Sequence, residues 1–260
     1  MIDKETVESA VRNFLSLPDQ SAPIDYLRCH LPETAVLYIV GGSIRNLIME
    51  MVFENAPQTE DIDIFIAKLP HDYELTDLLV GEVFEVTDLD GIRWHPKSSG
   101  VAFDLCLLPK FVMLHKYRLQ PSLENLLNCI DFTINATVFD VTNGQLYEKK
   151  CIAAIENGCM DFNTHRLYTK QLLAYRILHI HHKTGLMLSE AIFLFLKNQI
   201  ALSDLSDLKI LYERKIGVKK ARALMADYDY ICSFSDFAEY TTAAKNMIKI
   251  SQKHRYCKRN

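Results

Sequence analysis

The segment "TAVLYIVGGSIRNLIMEMVF", residues 34–53, changes its hydrophobic period at Gly41-Gly42 and so commits the chain to a strand, a tight turn and a helix in succession. "AVLYIV" is a β-branched and aromatic run suited to a buried strand, and "SIRNLIMEMVF" has apolar residues at helical spacing, with Ser43 placed to cap it. "DIDIFIA", residues 61–67, predicts a second strand, whose alternation puts Asp61, Asp63 and Phe65 on one face and Ile62, Ile64 and Ile66 on the other. "EVFEVTD" and "VAFDLCLLP" are further strand candidates, with the turn-like "DLDG" between them. Before these, Val7, Ala10, Val11, Phe14 and Leu15 predict a helix that "LPDQSAP" interrupts. After them, "PSLENLLNCIDFTINATVFDVTNGQLYE" reads as a short helix, an irregular stretch, a strand and a turn at Asn143-Gly144.

Beyond residue 150 strand signals give way to helical ones, in "QLLAYRILHIHHKTG", "LSEAIFLFLKNQIA", "DLSDLKILYERKIG", "VKKARALMADY" and "FAEYTTAAKNMIKISQKH". The expected fold class is therefore α+β, with a mixed sheet in residues 1–155 and an all-helical part in residues 156–260. Charge divides the same way. Residues 1–150 carry 12 lysines and arginines against 23 aspartates and glutamates, whereas residues 151–260 carry 17 against 10. An acidic part suited to cations and a basic part suited to a polyanion such as RNA would produce this asymmetry, as would lysines kept for solubility. The chain has no apolar run long enough to span a membrane and its N-terminus is acidic, so a cytoplasmic address is expected. The seven cysteines are scattered without a C-x-x-C pair, which fits reduced thiols.

Asp61 and Asp63 stand roughly 6 to 7 Å apart on one strand face and repel unless something positive lies between them. A divalent cation such as Mg²⁺ suits such hard oxygen donors. Asp104, a polar residue inside the apolar "VAFDLCLL", is a candidate third carboxylate if its strand neighbours that of Asp61 and Asp63. A D-x-D pair on a solvated edge strand is the alternative. The upstream Gly41-Gly42-Ser43 favours the metal, because a strand ending at a helix N-terminus exposes N–H groups and a hydroxyl that cradle phosphate.

In order and spacing, "LYIVGGSIRNLIM", "EDIDIFI" and "IDFTINATVFD" resemble the head-domain motifs of class II CCA-adding enzymes and bacterial poly(A) polymerases, within the polymerase β nucleotidyltransferase superfamily. The resemblance covers roughly residues 35–185, and the intact "DFTINA" is its most specific part. It implies a polymerase β-type head followed by a helical neck and body. It also implies that Asp61 and Asp63 hold catalytic Mg²⁺, that Gly41, Gly42, Ser43 and Arg45 bind the triphosphate, and that Asp131 and Asn135 shape the sugar and phosphate pocket. The implied reaction is in-line attack of an RNA 3′ hydroxyl on the α-phosphate of a nucleoside triphosphate, ATP or CTP, with release of pyrophosphate. Three features depart from the family pattern: Asn46 replaces an aspartate, "NCIDFTINA" lacks the preceding arginines, and "TKQLL" stands where a base-selecting motif is expected, leaving Arg176 as its nearest remnant. Transfer to a protein or small molecule, or a nucleotide- or RNA-binding relative without turnover, are the alternatives.

Three other features bear on ligands. His179, His181 and His182 cluster in "HIHH", with His179 and His182 on one helical face and no fourth zinc ligand evident. "ERKIGVKKAR" and the tail "SQKHRYCKRN" are basic enough to contact RNA. Trp94, expected in a loop, is placed either to stack on a base or to anchor that loop.

Overall fold

The computed structural model describes residues 2–245 except 54–55, 71, 88–90, 167 and 201. The "DLDG" turn and the basic tail therefore lie wholly or partly outside the described residues. The chain divides into two compact units, Met1–Asn157 with Phe162–Arg166, and Gly158–Asp161 with Leu167–Asn260.

The first unit begins with α1 (Lys4–Leu15) and α2 (Pro18–His30), followed by β1 (Val36–Val40), α3 (Gly42–Phe53) and β2 (Asp61–Ala67). Next come α4 (Leu75–Leu78), β3 (Phe84–Val86), β4 (Ile92–Trp94), β5 (Ala102–Leu107), α5 (Val112–Lys116) and α6 (Leu123–Cys129). It continues with β6 (Thr137–Asp140), β7 (Gln145–Glu148) and α7 (Cys151–Glu156). The seven strands form one mixed sheet in the order β3-β4-β5-β2-β1-β6-β7, with β2 and β5 parallel and the other neighbours antiparallel. Ile62, Ile64 and Ile66 of β2 are fully buried, as the alternation required. Burying each side chain contributes about 1.5–3 kcal/mol, enough to hold the strand with its other face outward. α3 packs against β2 and α7 on the buried side.

Three local expectations are corrected. "LPDQSAP" interrupts the first helix but also begins the second: Pro18 occupies the first turn of α2, where a missing N–H costs nothing. Ser43 does not cap α3. The helix starts at Gly42, and the Ser43 hydroxyl is buried inside it without a hydrogen-bond partner among the described residues. Trp94 is not in a loop but on β4, between β3 and β5, with only 1% of its surface exposed. Its indole N–H donates to Glu82 at 3.1 Å and its ring lies 5.2 Å from Tyr26 and 5.8 Å from Phe103, so it is a core residue and not a stacking platform.

The second unit contains β8 (Cys159–Met160), α8 (Lys170–Thr184), β9 (Met187–Leu188), α9 (Glu190–Gln199) and α10 (Leu202–Ser233), with residues 237–245 also helical. Among its described residues the regular structure is helical apart from the two-residue parallel ladder of β8 and β9. Thr169 caps α8, Gly185 ends it at φ 65°, and Ser189 caps α9. α10 breaks at Gly217, whose φ of 79° lies outside the helical range. The three histidines turn to different tasks. His179 stacks on Tyr175, His181 is bonded through Nδ1 to the Leu186 carbonyl at 2.7 Å, and His182 Nδ1 lies 2.7 Å from Asp227.

Two predictions follow from this packing. Trp94→Ala should lower unfolding free energy by about 3–5 kcal/mol in urea titrations, as expected for a fully buried aromatic. Burial holds His181 below its ordinary value of 6.5, against the opposing pull of the Leu186 carbonyl. The unfolded chain therefore binds this proton more readily, and the stability involved is present above 6.5 and lost as pH falls through the depressed value. The thermal midpoint should drop between about pH 7 and about pH 5, and drop less steeply in His181→Gln; equal slopes would remove His181 from the account.

Candidate active site

The β2 alternation that buries the isoleucines leaves Asp61 and Asp63 half-buried on the opposite face. Asp104 joins them, because β5 is the immediate parallel neighbour of β2 and Asp104 stands directly opposite Asp63. On the far side of β5, β4 places Arg93 opposite Asp104, while on the far side of β2 Val40 lies opposite Asp63. Arg93, Asp104, Asp63 and Val40 thus form a single row across four strands. Residues aligned in this way project from the same face of a sheet.

Arg93 binds two of the three carboxylates. Its Nε donates to Asp104 Oδ1 and its Nη2 to Asp104 Oδ2, both at 2.9 Å, and Nη2 also donates to Asp61 Oδ2 at 2.9 Å. Its neighbours Ile92 and Trp94 are buried, which fixes the direction in which Arg93 points. Burial raises the Asp104 carboxyl above its usual range, Arg93 pulls it back down, and Asp61 pushes it further up. Burial also disfavours the Arg93 charge, but Asp104 and then Asp61 and Glu85 more than offset that and raise its pKa.

β1 ends at Val40, so the glycine turn begins one residue beyond the partner of Asp63. Gly41 has φ 70°, a left-handed conformation that a residue with a Cβ adopts only with strain. Its N–H donates to the Thr137 carbonyl at 3.3 Å, and its carbonyl accepts from Arg45 N–H at 2.9 Å. Asn135 lies against this turn, since a Cβ on Gly41 would sit 3.8 Å from the Asn135 carbonyl oxygen. Arg45, only 4% exposed, joins the two segments: Nη1 donates to Asn135 Oδ1 at 2.7 Å, and Nε and Nη2 donate to Asn46 Oδ1 at 3.1 and 2.9 Å. Asn46 in turn donates to Thr59 at 3.3 Å. Burial pushes the Arg45 pKa down, opposed by attraction to Asp63, Asp61 and Asp131 among others.

Gly41, Gly42, Arg45 and Asn135 are thus brought together in the first unit, next to the strand that carries Asp61 and Asp63. Asp131 is buried at the start of the same "DFTINA" segment, where its carboxylate accepts from Phe132 N–H at 3.0 Å and its carbonyl accepts from Asn163 N–H at 2.8 Å. Arg176 belongs to α8 of the second unit, where its guanidinium lies 5.3 Å from the Tyr168 ring. Sequence reasoning missed Arg93. The available signal was the alternation of Ile92, Arg93 and Trp94, which reads as a strand with one charged face. The strained turn has a direct test: Gly41→Ala should cost about 1–2 kcal/mol in urea denaturation. Gly42→Ala should cost less, because its added methyl meets Arg45 at an ordinary 3.7 Å.

No protein-family profile and no curated relative matches the chain. Solved structures do. A CCA-adding enzyme in complex with CTP superposes with a TM-score of 0.55 at 15% identity, covering 88% of this chain and 55% of that one. The CCA-adding enzyme with ATP gives 0.51 at 15% identity over 88% and 52%. The Thermotoga maritima CCA-adding enzyme complexed with tRNA gives 0.51 at 16% identity over 88% and 54%. The present chain therefore spans about half the length of these structures. At such identities the likeness is one of fold: the chain shares with these CCA-adding enzymes an α+β architecture, a mixed sheet with helices followed by a helical part.

Proposed function

We propose that the chain is a Mg²⁺-dependent nucleotidyltransferase that moves a nucleoside monophosphate from a nucleoside triphosphate to the 3′ hydroxyl of an RNA. The observation that carries this reading is the adjacency of two parts: the carboxylate row, with Asp63 opposite Val40, and the Gly41-Gly42 turn that begins where Val40 ends. The fold shared with CCA-adding enzymes solved with ATP, CTP and tRNA supports the same donor and acceptor classes. So do the exposed Arg214, Lys215, Lys219, Lys220 and Arg222 of α10.

The donor chemistry of the face fits Mg²⁺, which takes carboxylate oxygens and completes its shell with water and phosphate. Asp61 and Asp63 are its ligands in this reading, although among the described residues no ready-made group of three such ligands stands together and Asp61 shares one oxygen with Arg93. When bound, the ion neutralises the triphosphate and acidifies the attacking hydroxyl. The chain's own residues do the rest. With the Gly41 N–H held by the Thr137 carbonyl, the backbone N–H groups offered to phosphate are those of Gly42 and Ser43 at the N-terminus of α3. Arg45 holds Asn135 against the glycine turn and adds a positive field at its floor. Asp131, two residues before Thr133–Asn135, anchors the backbone that presents Asn135. The attacking hydroxyl forms a new bond to the α-phosphorus, and the bond to pyrophosphate breaks, with no protein nucleophile involved.

A second reading keeps the chemistry and changes the acceptor to a protein or small molecule. It is favoured by residues 169–173, where "TKQLL" serves to start α8, with Thr169 Oγ1 accepting from Leu172 N–H at 3.4 Å, instead of presenting the base-selecting side chains of the family. Incubation with each labelled nucleoside triphosphate, Mg²⁺ and total RNA should place label on RNA, and label on protein or a small molecule would select the second reading. Asp61→Ala and Asp63→Ala should each lower transfer by about 10²–10³-fold. Unchanged transfer would overturn the metal assignment. No transfer to any acceptor, with nucleotide binding that survives the double substitution, would leave a binding protein only.

A further inference from the structure

The carboxylate face already contains a cation. Arg93 meets Asp104 with two parallel hydrogen bonds, which occupy both carboxylate oxygens, and its Nη2 reaches on to Asp61. This is the side-on arginine–carboxylate geometry that combines charge with directional hydrogen bonds. It is also held from below: Ile92 and Trp94 are 4% and 1% exposed, and β4 is paired on both sides, so Arg93 cannot rotate its backbone away. The guanidinium itself is about one-third exposed, and Glu85, its register partner on β3, is the carboxylate nearest in register once Asp104 and Asp61 are given up.

We propose that Arg93 is a tethered cation that removes Asp104 from the metal-ligand set and competes with a divalent ion for Asp61, so that the ion is held by Asp61 and Asp63 alone. This rests on the assignment of Asp61 and Asp63 as the metal pair. The chemistry follows from charge and coordination. Three carboxylates on one face carry three negative charges, and Arg93 cancels one of them. A carboxylate whose two oxygens both accept from one guanidinium keeps only the lone pairs turned away from it for a metal and shares its charge with the cation, whereas among the described residues the guanidinium meets Asp61 through Oδ2. Asp104 thereby becomes a positioning residue. It holds Arg93 in the row, and Arg93 screens the repulsion between carboxylates while no metal is present.

The test is binding of Mn²⁺, followed by electron paramagnetic resonance on the full chain, without reference to turnover. Arg93→Gln should bind Mn²⁺ roughly tenfold to a hundredfold more tightly than the unaltered chain, the range typical of changes next to metal ligands. Arg93→Lys, which keeps the charge but loses the paired hydrogen bonds, should fall between the two. Asp104→Asn alone should change the affinity by no more than about threefold, and in the Arg93→Gln background it should remove part of the gain, leaving the part that comes from freeing Asp61. No gain in Arg93→Gln, or a loss in Asp104→Asn as large as that in Asp63→Asn, overturns the proposal while leaving the metal pair in place. Mn²⁺ binding that survives Asp63→Asn in every background overturns the metal pair itself.

Discussion

Everything at the candidate site depends on β2 being a central strand with one dry face. Ile62, Ile64 and Ile66 are fully buried, and sliding the strand by one residue would exchange them with Asp61, Asp63 and Phe65. That exchange would bury two carboxylates and expose three isoleucines, at a cost far beyond the marginal stability of a folded domain. Register is therefore not adjustable. The neighbours on either side inherit it: β5 sets Asp104 beside Asp63, and β1 brings the Gly41-Gly42 turn to the same end of the strand.

Around that fixed row the chain handles two buried or half-buried arginines by different means. Arg45 is almost wholly enclosed, and its guanidinium donates to the amide oxygens of Asn46 and Asn135. Burial works against its charge, and attraction to Asp63, Asp61 and Asp131, among others, works for it. Arg93 lies nearer solvent and pairs directly with Asp104 and Asp61. One arginine therefore ties the glycine turn to Asn135, whereas the other ties Asp104 to Asp61 on the carboxylate face.

Much of this was legible in the chain. The period change at Gly41-Gly42 located β1 and α3, and the alternation of "DIDIFIA" assigned each residue of β2 to its face. What escaped reading did so for physical reasons. β4 is three residues long, too short for its alternation to stand out from a loop, and its pairing partners are supplied by strands on both sides. Trp94 was accordingly placed in a loop, although an indole with a donor reaching Glu82 is as comfortable in a core as at a surface. Ser43 looked like a cap because residue type and position agreed, but the helix starts at Gly42, two residues before the Ile44 that such a cap would make its first, and the hydroxyl is buried.

The sequence by itself determined which residues share a face of each strand, because side-chain alternation is a local property of extended backbone. It also determined the acidic and basic halves and the motifs "VGGSIRN", "DID" and "DFTINA". Only the tertiary structure decided which strands are neighbours, and so that Asp104 stands beside Asp63 and Arg93 beside Asp104. Lateral pairing joins positions far apart in the chain through backbone hydrogen bonds that carry no residue label. For that reason the cation within the carboxylate row was invisible until the strands were set side by side.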